Sequence, residues 1–196
     1  MFLETICIQN GIVYNLQRHV ARMQETAAHF GFVVPRLPEL ETLMPKEFSD
    51  ERVKCRIIYH AKIDEITFEK YIPKIVKSFK LVEASPNYSF KFSDRTELNS
   101  LLSQKGDYDE ILIARNGCIT DTSFSNVVFR RGNDFFTPDT YVLNGTKRQL
   151  LLREGIIREK RITVENMNEF EEIILINAML PLNPLKGTWG RELIKY

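Results

Sequence analysis

Of the three Asn-Gly dipeptides, Asn10-Gly11 and Asn116-Gly117 each stand between short apolar runs, and these two constrain the fold more than any other feature. Adjacent Asn and Gly favour the tight turns that reverse one strand into the next. The first turn joins a strand over Phe2 to Gln9 to a returning strand at Ile12-Val13-Tyr14. The second follows a strand over Glu110 to Ala114. Between these β signals the period changes. Leu16, Val20, Met23, Ala27 and Phe30 recur at spacings of four and three, which predicts a helix from Leu16 to Phe30, capped by Asn15 and ended by Gly31. A shorter amphipathic helix is predicted after Pro38, through Leu40 and Leu43.

Val53 to His60 and Glu65 to Ile72 read as a β-hairpin, and Ile75 to Glu83 as a further strand. Ser85-Pro86-Asn87 breaks the pattern, so a boundary between two lobes is expected near residue 86, giving lobes 1–86 and 87–196. Past it come a polar helix from Thr96 to Lys105 closed by Gly106, and a strand at Val127-Val128-Phe129. A helix from Thr146 to Glu154 follows, then an apolar strand at Ile173 to Ile176 suited to burial. Strands and helices mix in both halves, so the expected class is α+β or α/β with two lobes.

Composition removes several function classes. The 196 residues carry 27 Lys and Arg against 26 Asp and Glu, a formal charge of +1. That balance leaves no electrostatic footprint for nucleic acid or an anionic membrane. Apolar runs such as Ile173 to Ile176 are far too short to span a bilayer. Met1-Phe2-Leu3-Glu4-Thr5 has no basic segment ahead of an apolar stretch, and Cys7, Cys55 and Cys118 form neither a CxxC pair nor a disulfide framework. A reduced, cytoplasmic protein is the expectation. His19 and His29 lie ten residues apart on one predicted helix, roughly 1000° of rotation, so they point to different faces. With no HExxH, GxSxG, GxGxxG or Walker A pattern, metal, hydrolase, Rossmann and P-loop readings have no motif, and no metal ligand is assigned. The cysteines read most simply as small core residues, as do Trp189 and the phenylalanines.

The remaining segments fall into one order: Leu3-Glu4-Thr5-Ile6; His19-Val20-Ala21-Arg22-Met23; Lys91-Phe92-Ser93-Asp94-Arg95; Tyr108-Asp109-Glu110-Ile111-Leu112. Then come Ile119 to Asn126, Phe136-Thr137-Pro138, Leu143 to Arg148, and Asn177-Ala178-Met179-Leu180-Pro181. In this order they resemble the class IV aminotransferase fold family of pyridoxal phosphate (PLP) enzymes, over most of the chain. The resemblance implies a two-lobed fold, an active site between the lobes and a homodimer acting on a small-molecule amino substrate.

It also implies residue roles. Lys91 matches the lysine whose amine forms a Schiff base and then carries the substrate proton, which places that lysine in the larger C-terminal lobe. Read alone, it is a solvated lysine at a strand end far more often than a Schiff-base lysine. Asp121 stands where the family keeps a Glu to hold the ring nitrogen protonated, and its alternative is a turn aspartate. Asn126 belongs to the same segment. Arg22 matches the phosphate-binding arginine, its alternative being a surface arginine on the polar helix face. Gly145, Thr146 and Lys147 open a predicted helix whose N–H groups suit an anion, and Asn177 and Ala178 match the last cofactor-binding stretch. Lys147 and Ala178 replace residues that are often Thr in aminotransferases.

Within the family, Asn144 to Gln149 and Asn177 to Pro184 look like 4-amino-4-deoxychorismate lyase, which leaves 4-aminobenzoate, a folate precursor, and pyruvate. An amino acid aminotransferase and a non-catalytic relative remain as alternatives. The chain departs from the family in beginning almost at Leu3-Glu4-Thr5, in lacking the usual arginine-bearing loop after Val53 to His60, and in carrying Thr96 where a Tyr is common.

Overall fold

The computed structural model describes residues 1–182 and 194–195; Trp189, Asn183 and Pro184, named above, lie outside these. The chain divides into two units, Met1–Pro73 with Phe90–Asp94, and Lys74–Ser89 with Arg95–Tyr196. The division is not the one expected near residue 86. The strand Phe79–Glu83 pairs in parallel with Glu110–Arg115, which assigns it to the second unit. Leu3 N–H donates to Lys91 O at 2.9 Å, and Phe2 bridges Phe92, which draws residues 90–94 into the first unit. Lys91 therefore belongs to the N-terminal unit and not to the C-terminal lobe.

In the first unit, β1 (Phe2–Gln9) lies between β2 (Ile12–Val13) and β3 (Arg52–Tyr59), and β3 pairs with β4 (Ile63–Lys70), giving the order β2-β1-β3-β4. All neighbours are antiparallel. The β1–β2 turn takes Asn10 at φ 52° and Gly11 at φ 74°, the left-handed pair that a tight hairpin requires. Along β3 every second residue is buried: Val53, Cys55, Ile57 and Tyr59. The register sets these beside Phe2, Glu4, Ile6 and Ile8 of β1. Ile6, Ile8, Val53, Cys55, Ile57 and Leu40 form one core cluster. Helix α1 (Leu16–Phe30) ends at Gly31, φ 71°, as its spacing predicts. Its start differs from expectation: Asn15 is left-handed with no side-chain cap bond, and its carbonyl instead receives Arg18 N–H at 3.1 Å. The short helix α2 is Leu40–Leu43.

In the second unit, β5 (Phe79–Glu83), β6 (Glu110–Arg115), β7 (Cys118–Thr122), β8 (Asn126–Arg131), β9 (Asp134–Pro138) and β10 (Arg158–Lys160) are consecutive neighbours. β11 (Glu172–Ile176) pairs with β8, and β12 (Ile194–Lys195) with β5. Helix α3 (Thr96–Leu102) runs into a 3₁₀ turn, Ser103–Lys105, and helix α4 is Thr146–Arg153. Leu112, Ala114, Ile119, Val127, Phe129, Ile162 and Phe170 build the principal core cluster. Phe129, Phe136 and Phe170 meet there as tilted or edge-on rings. Among the described residues no helix is long and apolar enough to cross a membrane.

Candidate active site

The first unit buries a charged group in the core row of β1. Phe2, Glu4, Ile6 and Ile8 share one face, and Glu4 is 0% exposed. A carboxylate there must be paired, because removing a bare charge from water costs far more than a fold can spare. Helix α1 provides the partners from residues 19 and 22, three apart and so on one face. Arg22 donates from Nε to Glu4 Oε1 at 2.8 Å and from Nη2 to Oε2 at 2.6 Å. His19 Nδ1 sits 2.6 Å from Oε2. Although burial pushes Glu4 up, Arg22 and His19 together bring it down to about 2, so the carboxylate stays ionised. Burial lowers His19 from its usual value, and the charges of Arg22 and Lys91 lower it further. His19 is thus a neutral imidazole whose Nδ1–H donates to Glu4.

Lys91 is half-buried, and its charge reaches this group through His19. Thr26, one turn beyond Arg22, donates to the Arg22 carbonyl at 2.8 Å and bonds to the buried Tyr59. Two residues expected from the sequence, Arg22 and Lys91, therefore gather around two whose roles were not assigned, Glu4 and His19. Their signal was visible: an acid interrupts a strict apolar row in β1, and a helix presents His and Arg three residues apart.

The second unit gathers Asp121, Asn126 and Gly145. Asp121 and Asn126 pair across the β7–β8 hairpin, which sets their side chains side by side. Asn126 Nδ2 donates to Asp121 Oδ1 and to the Leu143 carbonyl, both at 2.8 Å. Asp121 Oδ2 accepts the N–H groups of Val142 at 3.0 Å and Leu143 at 2.8 Å. The acid is 4% exposed. Burial raises it from 3.8 to about 6, against the lowering effect of these hydrogen bonds and of the Arg148 charge. Among the described residues, no cation forms an ion pair with it. Gly145 immediately precedes α4, and a Cβ there would stand 2.1 Å from Asn126 Oδ1, so the position requires glycine.

The hairpin loop is closed by Thr122 Oγ1, which accepts Ser125 N–H at 3.0 Å, and Arg95 Nη2 donates to the Ser123 carbonyl at 2.7 Å. Asn177 is tied to this loop through Nδ2 and the Phe124 carbonyl at 3.4 Å, while its Oδ1 accepts Met179 and Leu180 N–H groups. Asn177 thus builds the turn in which half-buried Ala178 lies. Thr146 is buried in the first turn of α4, Lys147 is half-buried beside it, and that turn holds no acidic residue.

The family model described as Amino-transferase class IV matches residues 1–187. The chain belongs to the class IV aminotransferase family. Its family is one of enzymes, and the chain is read as one. It is 39% identical over 180 residues to an uncharacterized protein of Haemophilus influenzae, covering 90% of this chain and 96% of that one. A crystal structure from Haemophilus somnus 129PT, of a protein provisionally named a 4-amino-4-deoxychorismate lyase, superposes with a TM-score of 0.80. The two are 36% identical over 92% of this chain and 97% of the other. An aminotransferase from Brucella abortus, crystallised with PLP, shares the fold at a TM-score of 0.68 and 22% identity, covering 91% of this chain and 77% of its own.

Proposed function

We propose that this class IV aminotransferase uses PLP to release pyruvate from 4-amino-4-deoxychorismate, leaving 4-aminobenzoate. The observation that carries the cofactor reading is Asp121, a buried carboxylate held by three N–H donors and in no ion pair among the described residues. A protonated pyridine nitrogen has the charge, the proton and the size to complete it. Oδ1, which accepts only from Asn126 among the described residues, has a lone pair to spare for that proton. Arg22 brings a fixed cation of a kind suited to a phosphate, and the acid-free first turn of α4, with Thr146 and Lys147, brings N–H donors of a kind suited to an anion. Asn177 and Ala178 complete the proposed cofactor-binding set by shaping the turn beside the Asp121 loop.

When bound, PLP supplies an electron sink for charge that develops at the carbon bearing the substrate amine. The rest is the work of this chain. Lys91 is the residue proposed to join the cofactor and then to move the proton. It takes the proton from the amine-bearing ring carbon onto Nζ. The bond from the neighbouring ring carbon to the ether oxygen breaks, the ring becomes aromatic, and the same proton ends on the methylene carbon of the departing enolpyruvate, which leaves as pyruvate. No keto acid is consumed. Neutral His19 leaves Lys91 without an added positive neighbour at that position.

The lyase reading within the family is supported by the likeness to the Haemophilus somnus protein and by Asn144 to Gln149. A homodimer in the cytoplasm, feeding folate synthesis, is part of the same proposal. The test begins with an absorption spectrum of the full chain with PLP, before and after borohydride, and mass spectrometry of the labelled peptide. Label on Lys91, followed by equimolar pyruvate and 4-aminobenzoate without added keto acid, is the expected result. Label on Lys91 with keto-acid-dependent amino transfer overturns the lyase and keeps the cofactor. No reducible band, or label spread over surface lysines, overturns both.

A further inference from the structure

Asp121 is held by a loop, and the loop is held by an arginine. Val142 and Leu143, whose N–H groups bind the Asp121 carboxylate, lie in the segment from Pro138 to Asn144 that links β9 to α4. Arg148, in the first turn of α4, is 2% exposed and grips this segment at three points. Its Nη2 donates to the Pro138 carbonyl at 3.1 Å, at the start of the segment. Its Nη1 donates to Asn144 Oδ1 at 3.2 Å, at the end. Its guanidinium stacks over the Tyr141 ring, 4.6 Å from the centroid, in the middle. Glu159 on β10 closes the far side, its Oε1 2.5 Å from Nη2.

We propose that Arg148 is a positioning residue for Asp121: it fixes the Pro138–Asn144 segment so that the Val142 and Leu143 N–H groups converge on the carboxylate. This rests on the reading of Asp121 as the ring-nitrogen acid. Stability alone does not account for the arrangement. Burying a guanidinium costs several kcal/mol, and here Nε is left buried with no hydrogen-bond partner among the described residues. A planar fork spans the ends of a seven-residue segment in a way that a lysine cannot.

The arrangement also has an electrostatic side. Asp121 experiences Arg148 as the charged group acting on it, whereas half-exposed Glu159 offsets Arg148 from behind. Arg115 reaches the same segment through the Tyr141 carbonyl at 3.4 Å. Removing Arg148 and removing the charge of Glu159 must therefore move Asp121 in opposite directions.

The test is a carbon-13 titration of the Asp121 carboxyl in the full-length chain, assigned with Asp121→Asn, with and without PLP. Arg148→Met is expected to shift the Asp121 midpoint upward by about one pH unit and to weaken PLP affinity about tenfold. Arg148→Lys, which keeps the charge, recovers part of the midpoint shift. Glu159→Gln, at a half-exposed position that tolerates the change, shifts the midpoint downward. Unchanged midpoints in Arg148→Lys and Glu159→Gln overturn the proposal even where Arg148→Met fails to fold. The titration in protein without PLP does not depend on the cofactor reading. Failure of that reading appears separately, as wild-type protein that forms no reducible band.

Discussion

Arg22 grips Glu4 with a two-pronged hydrogen bond, at 2.8 and 2.6 Å, inside the apolar core row of the first sheet. Taking one partner away leaves the other charged and buried. Glu4→Gln is expected to destabilise the chain by about 3–5 kcal/mol in urea denaturation. Replacing both, as Glu4→Leu with Arg22→Met, should recover most of that loss while abolishing PLP retention. A double variant no more stable than Glu4→Gln would mean that the pair is not coupled.

Acid should unfold the protein in two stages through this group. His19 has a lowered value in the fold, so the stability that it protects is present above its ordinary 6.5 and is lost as pH falls below that. Glu4, lowered from 4.5 to about 2, adds a second loss across that interval, worth roughly 3 kcal/mol. His19→Gln should remove the first stage and shrink the second, since His19 helps to lower Glu4, read as the disappearance of the decline in urea midpoint just below pH 6.5.

Asp121 acts with the opposite sign. Its value is raised from 3.8 to about 6, so the fold is favoured while the group is protonated and loses that advantage as pH rises through this interval. In protein without PLP, Asp121→Asn should gain about 3 kcal/mol relative to wild type between pH 3.5 and 6.5. A pH-independent difference between the two proteins would contradict the burial of a bare carboxylate.

Lengthening Asp121 to the family's usual Glu should not improve the site. The backbone N–H groups of Val142 and Leu143 already close on the shorter side chain at 3.0 and 2.8 Å. An extra methylene has no room and is expected to cost about 1–3 kcal/mol in stability. PLP affinity of Asp121→Glu, measured by equilibrium titration, should fall; a rise would mean that the loop follows the longer acid.

Gly145→Ala would push a methyl carbon to 2.1 Å from Asn126 Oδ1, an oxygen that cannot simply swing away because its amide nitrogen is bound to Asp121 and Leu143. Loss of at least tenfold in PLP affinity is expected, with Asn126→Ser partly restoring it in the double variant. Equal affinity in Gly145→Ala and wild type would remove Asn126 from the proposed site.

What the sequence disclosed and what it hid divide along physical lines. Helix α1 and strand β1 were legible because their apolar periods are local, and the Asn10-Gly11 turn because its backbone angles demand those residues. The Asp121–Asn126 pair was legible as a motif, and its hairpin register explains the spacing. The division between units was not, since it depends on β5 pairing in parallel with β6 about 30 residues away, a contact without local signature. Asn15 stands at the N-cap as read, but in the left-handed conformation that Asn favours and with no side-chain cap bond. Arg148 was read only as part of the Asn144 to Gln149 stretch, and nothing in that stretch announces the Pro138 carbonyl or Glu159 as its acceptors.

The return of residues 90–94 to the edge of the first strand carries a consequence for how the chain is born. Leu3 leaves the ribosome about 90 residues before its partner Lys91, and closing so long a loop costs roughly 4 kcal/mol of chain entropy. The first hairpins can zip early, because their contacts are close in sequence. The amine proposed for chemistry arrives among the last pieces of that sheet, delivered by a segment that first passes through the second unit. A nascent or truncated chain ending before residue 90 would hold Glu4, His19 and Arg22 yet lack Lys91, so that on the proposed role of this lysine an immature chain is an inert one.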